Sequence, residues 1–445
     1  MLSSELKAYG YAQYYDQARE RRVESATALS NTRTDTRQDV YGAGIQNITP
    51  LFTSWGDHRL VYGLDFRTEN LRTAQKLLRT AIPSGALTTS TPAGKVPDGI
   101  YDSLDGFILT EIHPFEPLTL SAGGRVEQTR LQSRPTALDV IPNAGYSLAD
   151  LQVDKTWTSA TWNAGAVYKA LPDLDLAGNI ATGFRAPTFS DALSTGTPVF
   201  SSKTASLPSP NVNPENFISY EVGPRLHSGN LSASLSAYWT ALSDLVRQTS
   251  TGTVTIPGQG TFIAMRSSNA GGGYVRGLEF AVSYRIGRAW TVFGNATYTE
   301  GRDTHFNENL RFIPPLNGVV GIRFDAENGR WWAEAVEVLV DRLGTHAPND
   351  ELDAGFSTDP ALGSPNTDPT KGPLNPPLNP HFIIPGYVVT NLRFGVQLWS
   401  GTAHRRLDFT LDLNNLLDAR YREPLAQQEY VAPGFNCVAG LRLKF

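Results

Sequence analysis

Two-faced segments recur along almost the whole 445-residue chain, and the gaps between them alternate strictly between short and long. In "LTLSAGGRVE" (118–127) the even positions read Leu, Leu, Ala, Gly, Val and the odd ones Thr, Ser, Gly, Arg, Glu. In "LSASLSAYW" (231–239) the odd positions are Leu, Ala, Leu, Ala, Trp and the even ones mainly Ser. A period of two belongs to a strand with one apolar and one polar side. About sixteen such strands can be marked, near 3–17, 36–51, 58–70, 99–114, 117–130, 156–170, 173–186, 215–227, 230–243, 273–286, 289–301, 316–326, 329–341, 384–398, 405–418 and 435–445.

After the even-numbered strands come tight connections such as "FE", "LP", "SG", "GR" and "EN". After the odd-numbered ones come long segments, 18–35, 71–98, 131–155, 187–214, 244–272, 302–315, 342–383 and 419–434, rich in Pro, Gly, Ser, Thr and Asn. Sorting connections by length this way is what an up-and-down antiparallel barrel does when one rim carries turns and the other elaborate loops. The expected fold is therefore all-β, a transmembrane antiparallel up-and-down β-barrel. The Pro-rich stretch "STDPALGSPNTDPTKGPLNPPLNP" also reads as a linker between two domains, but the strand pattern resumes unchanged behind it.

Composition agrees with this reading. No stretch approaches the roughly 18 apolar residues of a spanning helix, and the mean hydropathy of −0.26 is what strands with one polar side average to. A net charge of −5 argues against a nucleic-acid partner, and the single cysteine, Cys437, excludes a disulfide framework. The start "MLSSELKAYGYAQYYDQARER" shows no basic region followed by an apolar one, so no export signal is visible there. The end, "FNCVAGLRLKF", alternates to the last residue, with Arg442 and Lys444 on the side opposite Leu441, Leu443 and Phe445.

Ordered motifs sit at the strand boundaries. "GFRAPTFSD" (183–191) leads from a strand into a long segment, and Pro187 ends ladder pairing because it lacks a donor. There follow "PNVNPENFISYEVG" (210–223), "NAGGGYVRGLEF" (269–280), "RFIPPLNGVVGIRF" (311–324) and "DLNNLLDARYREP" (412–424). Together and in this order they resemble the C-terminal part of the TonB-dependent outer-membrane receptors. The residues that carry the resemblance are Phe184, Arg185, Ala186 and Pro187; Asn211, Pro214 and Glu215; Asn269, Gly277 and Glu279; Pro314 and Pro315; Asn415, Asp418 and Tyr421; and Phe445. Ser209 stands where the family pattern has an Asn.

The resemblance implies a barrel of about 22 strands closed by an N-terminal plug. About 16 strands are present here, so residues 1–445 are expected to be a partial barrel without plug or first strands. It also implies active uptake of a scarce nutrient, a ferric siderophore first of all, with haem or cobalamin as same-family alternatives. The implied partners are the TonB–ExbB–ExbD energy complex, outer-membrane lipid and the barrel assembly machinery, in the cell outer membrane of a Gram-negative bacterium. The ligand entrance is expected from the extracellular loops 187–214, 244–272, 302–315 and 342–383. A passive porin-type channel of sixteen strands is the alternative of a different class.

No catalytic signature is present: there is no G-x-S-x-G elbow, P-loop or H-E-x-x-H. No cofactor and no metal site are expected. His58, His113, His227 and His404 fall beside short turns, while His305, His346 and His381 fall in long loops, none at ligand spacing. Arg125, Glu127, Glu221, Arg276, Glu279, Glu334, Glu337 and Arg393 are expected on the lumen side, and Tyr238, Trp239, Tyr284, Trp331 and Trp332 in interfacial girdles.

Overall fold

In the computed structural model, residues 5–24, 28–53, 56–91, 96–195, 204–256, 260–344, 384–401, 405–425 and 432–444 are described. They form one 19-stranded sheet. In the first half the strands are β1 (Glu5–Glu24), β2 (Ala28–Thr53), β3 (Gly56–Ala81), β4 (Leu87–Ser90), β5 (Gly99–Phe115), β6 (Leu118–Ser133), β7 (Asp154–Leu171), β8 (Leu174–Arg185) and β9 (Thr204–Ser206). In the second they are β10 (Glu215–Ser228), β11 (Leu231–Ile256), β12 (Gly260–Ile286), β13 (Trp290–Asp303), β14 (Glu308–Asn309), β15 (Asn317–Asp325), β16 (Trp331–Val340), β17 (Tyr387–Ser400), β18 (Arg406–Asn414) and β19 (Asn436–Lys444). The only helical pieces among the described residues are the turn Ala137–Asp139, α1 (Leu148–Leu151) and α2 (Phe189–Leu193).

Leaving aside the short β4, β9 and β14, every strand pairs antiparallel with the next, which gives the sixteen-strand meander that the alternation implies. Among the described residues no ladder joins β1 to β19, so these two are the edges of the sheet. No helix of the described part is long and apolar enough to cross a membrane, which says nothing of crossing by strands.

Register fixes the faces, because paired residues point the same way and neighbours along a strand point oppositely. Following the ladder from Leu441 through Phe409, Val396 and Trp331 keeps one continuous apolar face. Continuing through Leu231, Tyr284 and Val292 shows the same face on the middle strands. Arg125, Glu127, Glu221, Glu279, Glu334 and Arg393 share the opposite, polar face, as expected. Arg276 and Glu337 do not: each stands three residues from a polar-face partner, Glu279 or Glu334, and an odd spacing reverses the face. The same rule moves Tyr238 and Trp332 off the girdle and onto the polar face, next to the apolar-face Trp239 and Trp331.

On the polar face those rings lie over glycines of the adjacent strand. Tyr238 is paired with Gly277, Phe217 with Gly183, Phe293 with Gly321 and Trp332 with Gly395. Tyr11 with Gly42, Tyr9 with Gly44 and Phe107 with Gly63 repeat the arrangement. In each case a Cβ on the glycine would run into the ring, so the glycine is the space that lets the aromatic lie flat along the wall.

The long-loop end differs from the sequence reading in extent. β11 and β12 continue to Ile256 and from Gly260, so 244–272 is mostly a hairpin rather than a loop, and β1 to β3 likewise extend into 18–35 and 71–98. Register shifts between Leu242 and Val246 and between Ser250 and Thr253 break the period-two signal there.

Candidate functional site

The motif residues collect where the polar face meets the long-loop rim. Arg185, the last residue of β8, faces Glu215, the first residue of β10, across the ladder. Its Nε donates to Glu215 Oε2 at 2.6 Å and its Nη1 to Asp191 Oδ2 at 2.6 Å. Asp191 also caps α2: its carboxylate accepts the Thr188 backbone N–H at 2.9 Å, while the Thr188 hydroxyl accepts the Asp191 N–H at 3.2 Å. The other oxygen of Glu215 accepts the Val246 N–H at 2.7 Å. One guanidinium thus fixes a strand start, a helix start and, through Glu215, the bulge of β11. Pro187 beside it is fully buried, Ala186 precedes it, and Phe184 turns to the apolar face opposite Asn216.

Asn269 joins three segments. Its Oδ1 accepts the Asn213 N–H at 2.7 Å, and its Nδ2 donates to the carbonyls of Asn213 and Asp244 at 2.8 Å each. A side-chain amide paired with a peptide reproduces a ladder bond between residues that are not in adjacent strands. Asn211 takes the Lys155 ammonium at 2.9 Å, and the Pro214 carbonyl accepts from Asn216 at 3.4 Å. Ser209 accepts the Ser267 N–H at 2.8 Å, and Arg266 donates to the Pro208 carbonyl. β9 lies parallel on β12 through Thr204 to Ser206.

Under these bonds lie two apolar clusters. One gathers Leu131, Leu151, Val153, Phe189, Ala192, Leu193 and Val212. The other gathers Ala144, Ala205, Leu207, Val254, Ile256 and Ala264. Tyr146 packs against both. Its hydroxyl accepts the Ile141 N–H at 3.1 Å and donates to the Asp139 carbonyl at 3.2 Å, and burial pushes the phenol above its usual range. The Asp150 carboxylate is held below the usual range by the backbone N–H and hydroxyl of Ser147. Loop 131–155, the described parts of 187–214 and the β11–β12 hairpin are therefore one packed lip.

Most of the remaining motifs pin other parts of the same rim, while Gly277 and Glu279 lie in the wall below it. Arg247 reaches Asp303 at 3.1 Å and Glu308 at 3.1 Å, with Phe306 under its guanidinium at 5.3 Å. Asp303 is fully buried and also accepts the N–H groups of His305 and Phe306. Pro314 and Pro315 lead back into β15, with the Pro315 carbonyl accepting from Asn317 at 2.9 Å. Gly277 lies under Tyr238, whose hydroxyl meets Thr299 at 2.9 Å, and Glu279 stands across from Ser236 and Thr297. Asn415 is buried and binds the backbone of Ala419 at both ends, at 2.8 and 2.9 Å, while Asp418 accepts the Phe435 N–H at 2.9 Å. Tyr421 stacks on Tyr387 at 4.1 Å. Phe445, His346, His381, His404 and most of 342–383 lie outside the described residues.

The motifs thus do structural work around the mouth of the polar face, and no group of metal-binding side chains is found among the described residues. Sequence reasoning missed Arg247, Asp303 and Tyr146. Arg247 and Asp303 act through each other across distant sequence and Tyr146 through burial between two clusters, so no periodicity marks them.

A family model described as "TonB dependent receptor-like, beta-barrel" matches residues 2–416. Among solved structures, the fold is similar to the copper transporter OprC, with a TM-score of 0.68 and 15% identity over 97% of this chain and 60% of that one. It is similar to the hemophore receptor HasR of Serratia marcescens, solved with its hemophore HasA and heme, with a TM-score of 0.65 and 16% identity over 98% and 66%. It is also similar to the ferric yersiniabactin uptake receptor FyuA from Yersinia pestis, with a TM-score of 0.59 and 17% identity over 99% and 57%. The chain spans about three fifths of the length of these structures.

Proposed function

The chain belongs to the TonB-dependent receptor β-barrel family, and from that premise we propose that it forms the barrel wall and ligand entrance of an outer-membrane active transporter. The substrate class is a scarce nutrient complex, a ferric siderophore before haem or cobalamin. The observation that carries this reading is the packed lip: Arg185, Asn269 and the two apolar clusters hold folded segments over the mouth of a polar-faced wall. A lip built this way presents a shaped rim to a ligand at little ordering cost. Among the described residues no constellation in it supplies a covalent step, and the family is one of transporters and receptors, which favours transport over catalysis.

The polar face carries ion pairs such as Arg125 with Asp105 at 2.7 Å and Glu334 with Arg393 at 3.3 Å. These suit a wall that packs against a hydrated plug. In the proposed whole receptor a plug fills this space, further strands lie between β19 and β1, and the TonB–ExbB–ExbD complex supplies the energy for release. The barrel assembly machinery and outer-membrane lipid are the remaining partners. The test is uptake of radiolabelled ferric siderophores by iron-starved cells that carry or lack the gene in its full reading frame. Energy-dependent uptake lost on deletion supports the reading. Steady ion conductance of the purified protein in planar bilayers, without such uptake, supports the porin-type alternative.

A further inference from the structure

Several carboxylates of the polar face are set against arginines. Glu215 has Arg185 at 2.6 Å, Asp303 has Arg247 at 3.1 Å and Glu334 has Arg393 at 3.3 Å. On β3, β5 and β6 the ladder instead puts three carboxylates side by side, Asp65 opposite Asp105 and Asp105 opposite Glu127. Side chains directly opposite one another stand only about 5 Å apart at Cβ, and like charges so placed destabilise a sheet. The row lies just inside the mouth. Going inward from the lip's core, the rungs are Tyr101 with Leu131, then Ser103 with Thr129, then Asp105 with Glu127.

The cations nearby do not balance the row. On these rungs and the one below, four carboxylates of β3, β5 and β6, Asp65, Glu69, Asp105 and Glu127, face two guanidiniums, Arg67 and Arg125. Arg67 is taken by Glu69 at 2.7 Å, and Arg125 holds Asp105 at 2.7 Å while reaching Glu127 at 3.6 Å. Lys155, in register with Leu131, turns to Asn211 at 2.9 Å, and Lys7 on β1 is taken by Glu5 at 3.1 Å. Four negative charges against two positive leave two uncompensated. Asp65 is held by a neutral group, the Tyr9 hydroxyl, which donates to it across Gly44. Asp105 is only 4% exposed, and its Oδ1 has no hydrogen-bond partner. A buried charged oxygen left without a donor is a cost that a bound cation removes.

We propose that the row Asp65, Asp105 and Glu127 seats a guanidinium or ammonium group carried by the transported ligand. This deepens the transport reading above and rests on it: the nutrient complex is one that bears a cationic group, not a polyanion. A planar guanidinium laid along the row donates to two carboxylates at once, and an ammonium reaches the same oxygens as a point charge. Arg125 already occupies Asp105 Oδ2, and Thr129 donates to Glu127 Oε1 at 3.1 Å, so the free capacity is Asp105 Oδ1 and the carboxylate of Asp65. A bare metal ion does not fit, because no group of three metal-binding side chains converges among the described residues.

The protein encoded by the full reading frame is purified in mild detergent and titrated with butylguanidinium and with its uncharged counterpart butylurea, binding being followed by saturation-transfer NMR. The wild type is expected to bind butylguanidinium at least about tenfold more tightly than butylurea, the worth of one charge-assisted contact. D65N/D105N is expected to lose about tenfold in affinity for butylguanidinium, and D65N alone, which leaves both partners of Arg125 in place, about threefold. If the double variant fails to fold, D65N carries the test. E221Q/E279Q, on the same face but outside the row, is expected to keep wild-type affinity. Equal binding of the two probes by the wild type overturns the proposal, as does undiminished binding by D65N. Absence of binding by the wild type also overturns it, since a basic side chain of the receptor itself then fills the row. Uptake of ferric siderophores in cells decides the transport reading separately: binding without any uptake defeats that reading and leaves the seat standing, while uptake without binding defeats the seat alone.

Discussion

The wall and the lip are held together by different means. Along the wall most side chains are exposed on one face or the other, as Leu64, Ile108, Val222 and Leu441 are, and what fixes the strands is an unbroken ladder with aromatic rings laid over glycines. In the lip, Leu131, Leu151 and Leu193 are wholly buried and polar side chains bind backbone groups far away in sequence. Away from those glycines the wall therefore tolerates almost any residue of the right polarity, whereas the lip depends on particular ones. Substitutions should separate the two regions accordingly.

The largest effect belongs to the lip's core. Leu193→Ala empties a fully buried site and should cost about 2–5 kcal/mol, seen as loss of amide protection in 131–155 and 205–212 with the wall still protected. Gly277→Val strikes the wall instead: its side chain meets the Tyr238 ring and the Tyr298 carbonyl, an overpacking worth about 1–3 kcal/mol that should lower the melting temperature of the sheet and leave the lip's protection to fall only with it. Arg185→Gln leaves Glu215 and Asp191 without their partner. Because the guanidinium is partly solvated, about 1 kcal/mol is expected, read as faster proteolysis after α2 with an unchanged melt. The smallest effect is a pH response. Asp150 titrates below its ordinary value of 3.8, so it stabilises its turn above that pH and stops doing so as pH falls through its lowered value. Asp150→Asn should flatten the acid dependence of exchange in 147–152 and leave the neutral-pH rate of the wall untouched.

The same contrast explains what the sequence displays. Sixteen strands, their order and the two rims are legible because period two repeats over every crossing and needs no long-range knowledge. Faces are legible only when counted from one residue to the next, which is why Tyr238 and Trp332 read as girdle residues in a list of aromatics and stand on the polar face in the ladder. Strand ends at the rim are not legible. In "TSTGTVTI" the bulges of β11 shift the phase, so Val254 and Ile256 are buried in a stretch that looks like polar loop. The motifs announce that Arg185, Asn269 and Asn415 matter, but not how, because their partners lie in other segments: Glu215, Asn213 and, for Asn415, the Pro433 carbonyl.

Amide hydrogen exchange of the ligand-free protein in its membrane tests the central claim, that the motif residues build the lip before any ligand arrives. Slow exchange at Ala192, Leu207, Ser209 and Ser267, whose N–H groups are all bonded within the lip, is the expected result, with a selective loss in Arg185→Gln. Exchange at those amides as fast as in an unstructured loop, while the wall stays protected, would contradict it.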